Sequence, residues 1–499
     1  MEPGFFLAAS PLIVLVAAVV ILLLQDVSKP DVRVSYGITL GAGILSLAIT
    51  AYLAATGTSS SFGSGSFVLN RFTYYFGLIF DASCILVSAT SYRTVREQRS
   101  EIEYFALVLA ATVGMFLVAA ASNLISLFVS FELATVATYA MTAYAKNSRA
   151  SGEAAIKFFV IGALSAGMIL YAISLIYAST GTIAITALDS PLGNSKEIIS
   201  VAFILLIAGF GFKVAAVPFH LWLPDTYDGA PYSTTTYLSA ASKVMGFAAL
   251  VRIFYVMAPT FASAAGLDWQ LIFAVLALLT MTYGNLAALA QTDVKRLLAY
   301  SSIAQSGYIL IGLALATRFS FAILLYFIMA YAFSKMGSFI AAEFFEREYG
   351  AKTLDQYSWI AKTSPVSAFA FSICLLSLAG IPPLSVFVAK FFMFYAAIQL
   401  GGAWIWLAVA GVLNSALSLY YYARIIKNMY VGSPSVPVPD QSKLRETPMF
   451  LLPLIVTLVL TIGLGLAESP VLGLAAKAME SIRPQFFTQL IEHLISVYR

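Results

Sequence analysis

Long runs of apolar residues, separated by short polar loops, repeat along the whole chain. A membrane-spanning helix needs about 20 mostly apolar residues. We predict fourteen such spans, numbered 1 to 14 in chain order: 4–24, 36–55, 72–91, 104–121, 123–144, 155–178, 199–221, 233–257, 269–290, 296–316, 319–343, 364–398, 403–428 and 448–467. The loops are too short to hold a soluble domain, so the pattern predicts an all-α polytopic membrane protein.

Prolines interrupt two of these spans. Span 7 contains Pro218, and span 12, which is too long for one straight helix, contains Pro382 and Pro383. Proline removes a backbone donor and clashes with the preceding turn, so we expect both spans to be discontinuous helices. A lysine precedes the break in span 7 and follows the break in span 12. This reversed order predicts two inverted five-helix repeats, spans 4–8 and spans 9–13.

The spans group into four segments. Spans 1–3 occupy residues 1–103, the two repeats occupy 104–257 and 258–430, and span 14 with a C-terminal helix occupies 431–499. Apolar and polar positions are mixed over 470–499, so we expect that helix to lie on the membrane surface. Span 1 follows no basic region and precedes no small-residue cleavage site, so we expect it to be retained rather than removed as a signal peptide.

Composition narrows the possible functions. Apolar residues make up 60% of the 499 residues and charged residues only 10%, against about 25% charged in soluble domains. Two cysteines and two histidines, with no Cys-x-x-Cys motif, argue against haem, iron–sulfur and zinc sites. We therefore expect no metal and no cofactor in this chain. The net charge of +4 is too small to indicate a nucleic-acid partner.

The basic residues predict the orientation in the membrane. Of the 28 Lys and Arg residues, sixteen lie in odd-numbered loops, four (including Arg252) in even-numbered loops and three in the C-terminal tail. Cytoplasmic loops carry an excess of Lys and Arg, so we expect odd-numbered loops in the cytoplasm and both termini on the outer side. The other five are lysines inside spans: Lys157, Lys213, Lys243, Lys335 and Lys390.

Charged residues inside spans are the candidate functional groups. Besides the five lysines, Glu132 lies near the middle of span 5 and Asp81 in span 3, where Ser83 is the one polar residue nearby in the sequence. A charge at mid-membrane costs about 2.5–3.5 kcal/mol. Such groups therefore form structural ion pairs, extend toward the surface or line an ion path.

Glutamate and lysine together suit a proton path. Burial disfavours the charged form of both groups and pairing favours it, so a Glu–Lys pair that separates and re-forms acts as a two-position proton switch. His220 lies two residues after Pro218 in the broken span 7. Because histidine titrates near neutral pH, we interpret His220 as a relay between lysines, with a core histidine as the alternative.

Five segments of the chain resemble the antiporter-like proton-pumping subunits of respiratory NADH:quinone oxidoreductase (complex I). They are 211–225 around Lys213, Ala241-Ser242-Lys243, 292–308, Gly380-Ile381-Pro382-Pro383 followed by Lys390-Phe391, and Phe131-Glu132-Leu133. Their order and spacing match the family through about residues 70–430. Fourteen spans without a long lateral helix most resemble the N-type subunit, the counterpart of mitochondrial subunit 2.

The resemblance implies a role for each matched residue. Glu132 and Lys213 match the coupling ion pair, Lys243 the central lysine of a hydrated axis, and Lys390 the terminal lysine facing the exit half-channel. His220 matches the connecting relay. Lys335, Lys157 and Asp81 are accessory candidates.

Two features depart from the N-type pattern. Tyr232-Ser233 follows Gly229-Ala230-Pro231, where the family usually has Thr-Pro. Lys335 in span 11 is a feature of the M- and L-type subunits and of Mrp cation/proton antiporters rather than of N-type subunits.

The expected function is therefore proton translocation within a redox-driven membrane complex. The resemblance implies flavin, iron–sulfur clusters and quinone in partner subunits, other membrane subunits as partners, and a bacterial or archaeal plasma membrane as the location. The alternative is an Mrp-type Na⁺(K⁺)/H⁺ antiporter subunit, whose cation site should add carboxylates. A stand-alone solute transporter and a structural scaffold remain further alternatives, although the insertion cost of buried lysines argues against a scaffold.

Overall fold

The computed structural model describes residues 4–28, 31–98, 101–185, 196–256, 268–431 and 448–482. Spans 1 to 7 are the helices Phe5–Ser28, Val32–Thr56, Arg71–Gln98, Glu101–Ala120, Leu124–Thr142, Arg149–Thr180 and Lys196–Val214. Span 8 consists of Tyr232–Tyr237, a π-helical turn at Leu238–Ser242 and Lys243–Val256. Spans 9, 10, 11, 13 and 14 are Trp269–Leu289, Val294–Leu315, Arg318–Tyr349, Ile405–Val431 and Pro448–Leu466, and span 12 is two half-helices, 12a (Pro365–Ala379) and 12b (Ser385–Leu400).

Short elements connect the spans. They are the α-helices Trp222–Gly229, Ile360–Thr363 and Glu468–Glu480 and the 3-10 turns Leu354–Tyr357 and Gly402–Trp404. Within the described ranges, thirteen helices are long and apolar enough to cross a membrane, and half-helices 12a and 12b make a further crossing. The predicted all-α polytopic fold with about fourteen spans, and with discontinuous spans 7 and 12, is confirmed. The inverted repeats and the four segment boundaries stay predictions.

Burial divides the spans into a central group and a peripheral group. The most apolar stretches of spans 8, 10 and 11 are 100%, 94% and 94% buried, whereas those of spans 6 and 13 are 33% and 28% buried. Large apolar side chains on the peripheral spans, such as Leu164 and Leu413, are exposed. Because such surfaces are stable only against lipid or another protein, spans 6 and 13 lie at the edge of the bundle. The lysines of spans 8 and 11 therefore lie at its centre.

The backbone groups freed by the break in span 7 find hydrogen-bond partners in nearby side chains. The helix ends at Val214, and Ala215 adopts a left-handed conformation with φ of 57°. The freed carbonyl of Phe212 accepts a hydrogen bond from the Trp222 indole at 2.9 Å, and the Val217 amide donates to the Thr280 hydroxyl at 2.9 Å. Non-helical backbone at membrane depth requires such partners, so the break is a built feature of the fold.

The break in span 12 begins at Gly380, where φ is 93°. The amides of Gly380 and Ile381 both donate to the Leu376 carbonyl at 3.1 Å. This C-terminal cap leaves the last carbonyls of 12a, those of Leu378 and Ala379, free for side chains. The free carbonyls form part of the candidate site described below.

A small β-hairpin departs from the helix-only prediction. Strand β1 (Ser60–Phe62) pairs antiparallel with β2 (Phe67–Leu69) between spans 2 and 3. Its turn binds the linker between spans 4 and 5, where the Ser122 amide donates to the Ser66 carbonyl at 2.9 Å. Ser122 in turn accepts from the Ile185 amide at 3.0 Å. Strands this short carry no detectable alternation, which is why the sequence did not predict them.

The described part of the C-terminal region forms the helix Glu468–Glu480. Its end binds span 3, because the carbonyl and hydroxyl of Ser481 accept from the Asn70 side chain and the Phe72 amide, both at 3.1 Å. Arg318 at the start of span 11 forms an ion pair with Glu480. The predicted membrane-surface position stays a prediction, and the rest of the predicted helix, 483–499, lies outside the described residues.

Arg252 corrects the predicted loop assignment of one basic residue. It lies inside the helix Lys243–Val256, not in the following loop, and is 5% exposed. Its guanidinium stacks 5.1 Å from the centre of the Phe72 ring and donates to the Ala119 carbonyl. Guanidinium groups stack well on aromatic faces, which explains how the helix carries this cation inside the span predicted at 233–257.

Candidate functional site

Five lysines are buried among the described residues, and four of them, Lys213, Lys243, Lys335 and Lys390, are no more than 3% exposed. Hydroxyl or carbonyl oxygens hold each ammonium group, and no carboxylate in the described ranges forms an ion pair with any of them. Neutral acceptors satisfy a lysine's donors without fixing its charge. The arrangement therefore suits groups that gain and lose protons.

Lys213 lies in the last turn of span 7, directly before the break. Its ammonium donates to the Thr135 hydroxyl of span 5 at 3.1 Å and lies between two phenylalanine rings, 5.6 Å from Phe131 and 5.2 Å from Phe158. Trp222, which bonds the backbone beside the lysine, stacks on Phe158 at 4.5 Å. The break thus positions Lys213 against span 5.

Glu132 lies on span 5 one turn from Thr135, on the face that meets Lys213. Its Oε1 atom is buried and has no hydrogen-bond partner among the described residues. The predicted coupling pair is therefore adjacent, but its two charges do not form a direct ion pair in this structure. An open Glu–Lys arrangement of this kind is one position of the predicted switch.

Lys243 and Lys335 meet at the same point of span 10. Lys243 follows the π-helical turn of span 8 and donates to the Ser302 carbonyl at 2.8 Å, while Lys335 donates to the Ser301 hydroxyl at 2.5 Å. The Tyr331 hydroxyl of span 11 supports the π turn by donating to the Ser239 carbonyl at 2.9 Å. Single π turns in long helices are frequent at functional sites. Two lysines from different spans thus share one attachment point.

Lys390 closes the break in span 12. Its ammonium donates to the free carbonyls of Leu378 and Ala379 at 3.0 and 3.3 Å and to the Ser415 hydroxyl at 3.1 Å. The Tyr308 ring lies 4.3 Å away. The C-terminus of a helix carries a partial negative charge that favours cations. Half-helix 12a therefore stabilises an ammonium group at a position deep in the bundle.

One polar face of span 10 lies against three of these lysines, Lys243, Lys335 and Lys390. Ser301, Gln305 and Tyr308 are spaced at i, i+4 and i+7 and so share a face. Gln305 donates to the Leu378 carbonyl at 2.8 Å, the carbonyl that also binds Lys390. Span 10 therefore places polar side chains between the Lys243–Lys335 attachment point and Lys390.

His220 lies in the non-helical break after Lys213 and is 5% exposed. Its ring packs against Tyr283 of span 9 with a centroid distance of 4.4 Å. Neither ring nitrogen has a hydrogen-bond partner within the described ranges. Both ring nitrogens of His220 are therefore without a partner among the described residues, and neither bonds a lysine.

Asp81 has more polar surroundings than the sequence indicated. The Ser46 and Thr50 hydroxyls of span 2 donate to its two carboxylate oxygens at 3.0 and 2.9 Å. Ser83, the predicted neighbour, instead donates to the Ile79 carbonyl at 2.7 Å. The carboxylate therefore belongs to a contact between spans 2 and 3, away from the four lysines.

Lys157 lies in a surface ion-pair network at the start of span 6. It contacts Glu153 at 2.7 Å and Asp225 at 2.8 Å, and Arg296 reaches Asp225 and Asp228 at 3.2 and 3.1 Å. The hydrogen bond from Lys157 lowers the pKa of the Asp225 carboxyl. With a side chain 43% exposed, Lys157 joins span 6 to the helix Trp222–Gly229 rather than to the buried lysines.

Two further buried charges lie near the odd-loop side of the bundle. Lys295, predicted in a loop, is 7% exposed and donates to the carbonyls of Asp228 and Ala230 at 2.9 and 2.8 Å. Glu343, at the predicted end of span 11, is 1% exposed because the helix continues to Tyr349. Span ends judged by hydropathy alone stop too early where a buried helix carries polar residues.

A substitution at Gly380 tests whether the left-handed backbone at the break in span 12 is needed for stability. We expect Gly380→Ala to destabilise the protein by about 1–2 kcal/mol, because alanine at φ of 93° is strained. The added Cβ would also lie 3.2 Å from Cδ of Lys390. Thermal unfolding of the purified complex measures the effect. Gly167→Ala is the control, since its Cβ meets no atom within 4 Å; equal unfolding temperatures for both variants would contradict the expectation.

The fold and the site together define a class of protein. The bundle is a polytopic membrane protein with two discontinuous helices and four deeply buried lysines. Discontinuous helices whose ends meet charged groups near the middle of a bundle are typical of ion-translocating proteins. No group of three or more His, Cys, Asp or Glu side chains in the described residues is placed to hold a metal ion.

Comparison with known proteins supports this class and refines it. The family described as NADH:quinone oxidoreductase/Mrp antiporter, transmembrane, matches residues 121–418. The subunit N of NADH-quinone oxidoreductase from Moorella thermoacetica is 38% identical over 461 residues, covering 87% of this chain and 95% of the relative. The subunit N of F(420)H(2) dehydrogenase from Methanosarcina mazei is 40% identical over 434 residues, covering 83% and 85%. The chain belongs to the NADH:quinone oxidoreductase/Mrp antiporter transmembrane family.

Solved structures share the fold. A chain of respiratory complex I from Thermus thermophilus matches with a TM-score of 0.79 and 29% identity, covering 93% of this chain and 99% of that chain. A chain of the Mrp complex from Dietzia sp. matches with a TM-score of 0.81 and 23% identity, covering 98% and 99%. The Mrp likeness shows the fold alone, and the predicted family resemblance is confirmed by the sequence relatives.

Proposed function

We propose that this chain is the proton-translocating N-type membrane subunit of a complex I-like, redox-driven pump. The names of the sequence relatives support membership of an oxidoreductase complex. Other membrane subunits are its partners, and electron transfer through flavin, iron–sulfur clusters and quinone takes place in partner subunits. The odd-numbered loops face the cytoplasm of a bacterial or archaeal plasma membrane, as the distribution of basic residues favours.

One observation carries the proposal: four deeply buried lysines lack carboxylate partners among the described residues, and three of them bond span 10 or a carbonyl that span 10 also bonds. Lys243 and Lys335 bind Ser302 and Ser301, and the polar face continues through Gln305 to the carbonyl that holds Lys390. A scaffold gains nothing from uncompensated ammonium groups at this depth, because their burial is costly. A proton path requires them.

The proposed cycle begins at the Glu132–Lys213 pair. When Glu132 approaches Lys213, the ion pair holds a proton on the lysine; when the pair opens, the lysine releases it. The released proton moves to the Lys243–Lys335 centre and then along span 10 to Lys390. No direct contact among the described residues joins Lys213 to the Lys243–Lys335 centre. His220, which lies in the break after Lys213, relays protons between them.

The direct test is Lys213→Ala in the intact complex. We expect coupled proton translocation to fall at least about tenfold, since removal of a proton carrier acts on every cycle, while the complex still assembles. The measurement is proton uptake per electron pair in proteoliposomes. Lys427→Ala, an exposed lysine at the end of span 13, is the control. An unchanged proton-to-electron ratio in Lys213→Ala would exclude the proposed path.

The alternative function is an Mrp-type Na⁺(K⁺)/H⁺ antiporter subunit. Lys335, which the structure places beside Lys243, is the observation that favours it. Co-purification separates the two functions: flavin and iron–sulfur subunits support the redox-driven pump, and a set of small Mrp-like membrane proteins supports the antiporter.

A further inference from the structure

Span 11 carries a second buried ionisable group that the proposed lysine path does not use. Lys335, Phe339, Glu343 and Arg347 are spaced four residues apart and therefore form one ridge along the helix. Lys335 points to the central attachment point on span 10, and Arg347 lies at the odd-loop surface. Glu343 lies between them, about 12 Å along the helix axis from Lys335 at 1.5 Å per residue.

One oxygen of the Glu343 carboxylate forms a long ion pair, and the other has no partner among the described residues. Its Oε1 atom lies 3.7 Å from the Arg347 guanidinium. Its Oε2 atom is buried and lacks a hydrogen-bond partner in the part of the chain that the structure describes. A buried polar atom left without a partner is costly, so a position that retains one is a candidate for function rather than for stability.

On the aqueous side, a short chain of contacts leads from Glu343 to solvent. Arg347 also donates to the Thr94 hydroxyl at 2.9 Å and contacts the Glu97 carboxylate at 3.2 Å. The Glu97 side chain is 63% exposed. Arg347 thus links the buried carboxylate of Glu343 to an exposed carboxylate at the odd-loop surface.

On the inner side, one aromatic ring separates Glu343 from the lysine centre. The ammonium of Lys335 lies 5.5 Å from the centre of the Phe339 ring, and the Tyr227 ring packs 5.9 Å from that centre. The Tyr227 hydroxyl is buried and, like Glu343 Oε2, finds no partner among the residues described. The Tyr227 ring packs on Phe339 and Glu343 follows Phe339 by one helical turn, so both unpartnered polar atoms belong to residues that neighbour this ring.

We propose that Glu343 takes up protons from the cytoplasm and delivers them to Lys335, with Phe339 separating the two groups between transfers. The inference rests on the proposed function and names the uptake side of that path. In each transfer the protonated carboxyl of Glu343 gives its proton to the neutral amine of Lys335, leaving a carboxylate and an ammonium. The carboxylate then regains a proton from the aqueous side past Arg347.

Several charged or polar groups face Glu343 and influence how readily its carboxyl gives up a proton. Arg347 and Glu346 lie on its own helix, Lys295 faces it from span 10, and the Thr94 hydroxyl faces it from span 3. Lys295 is itself held by two carbonyls of the linker between spans 7 and 8. A movement of that linker, which adjoins the break after Lys213, therefore changes the charge that Glu343 experiences.

The test is Glu343→Gln in the intact complex, with Glu348→Gln as the matched control. Glu348 lies on the same helix in a surface pair with Arg93 at 2.8 Å. We expect Glu343→Gln to lower coupled proton uptake at least about fivefold at alkaline pH, where protons are scarce, with partial recovery at acidic pH. Glu348→Gln should match the unmodified complex at every pH. A loss in Glu343→Gln that is equal at all pH values, or no loss, would overturn the proposal.

Two further measurements test the role of Glu343 if the variant does not assemble, and separate this inference from the proposed function. If Glu343→Gln fails to assemble, a hydrophobic carbodiimide applied to the unmodified complex should label Glu343 more strongly as pH falls, as judged by peptide mass spectrometry. Absence of that labelling would overturn the proposal. If Lys213→Ala abolishes pumping but Glu343→Gln pumps normally, the uptake route fails and the proposed function stands; if Lys213→Ala pumps normally, the proposed function itself fails.

Discussion

Replacing Lys390 by methionine should lower coupled proton translocation at least about tenfold while leaving the complex assembled. The reason lies in how half-helix 12a ends. Lys390 is the group that can carry a proton at the free carbonyls of Leu378 and Ala379. Methionine has similar length but no proton to transfer, so the path should stop before its exit.

Assembly should survive because both carbonyls keep another donor. Gln305 still bonds the Leu378 carbonyl at 2.8 Å, and the Ser415 hydroxyl still bonds the Ala379 carbonyl at 3.0 Å. Proton uptake in proteoliposomes and the thermal stability of the purified complex separate the two effects. Lys427→Met is the control for loss of a lysine. A stable Lys390→Met complex with normal pumping would contradict an exit role for Lys390.

Lys335→Met should impair pumping nearly as strongly as Lys243→Met, each by at least about tenfold. The two ammonium groups bind adjacent residues, Ser301 and Ser302, and are close enough for their charges to interact. Two like charges in a buried site repel, so the pair holds one excess proton more easily than two. The proton should therefore belong to the pair rather than to either lysine.

The double variant tests this sharing. If Lys243 and Lys335 act as one unit, the double methionine variant should pump no worse than either single variant, because groups that act together are not additive. The measurement is the proton-to-electron ratio of the three variants in proteoliposomes. Near-normal pumping by Lys335→Met would make Lys335 a structural residue and leave Lys243 as the single central carrier.

Local sequence signals predicted the fold well because its determinants are local. Apolar length marks each span, and Pro218, Pro382 and Pro383 mark the two breaks, since proline prevents a continuous helix wherever it occurs inside one. The same signals located the buried lysines, because charge is conspicuous against an apolar run. Charge in a membrane span also implies function before any neighbour is known.

Contacts between spans could not be predicted in this way. The Asp81 partners Ser46 and Thr50 lie on another helix, and hydroxyl residues are common in spans that use none of them for function. Span 11 was predicted to end at Glu343 because hydropathy falls at polar residues even where the helix continues. Arg252 was counted with a loop although its predicted span contains it. The separation of Glu132 from Lys213 depends on side-chain conformation, which the sequence does not encode by itself.

The two sides of the bundle are held together by different forces. On the even-loop side, backbone hydrogen bonds join the β-hairpin to the linker after span 4, and that linker to the one after span 6. On the odd-loop side, buried Lys295 of span 10 bonds the carbonyls of Asp228 and Ala230. Partly exposed ion pairs, which contribute only about 0–1 kcal/mol each and weaken with salt, also join the helix Trp222–Gly229 to spans 6 and 10. High salt should therefore weaken the ion pairs of the helix that follows the break after Lys213, while the hydrogen bonds on both sides of the bundle persist.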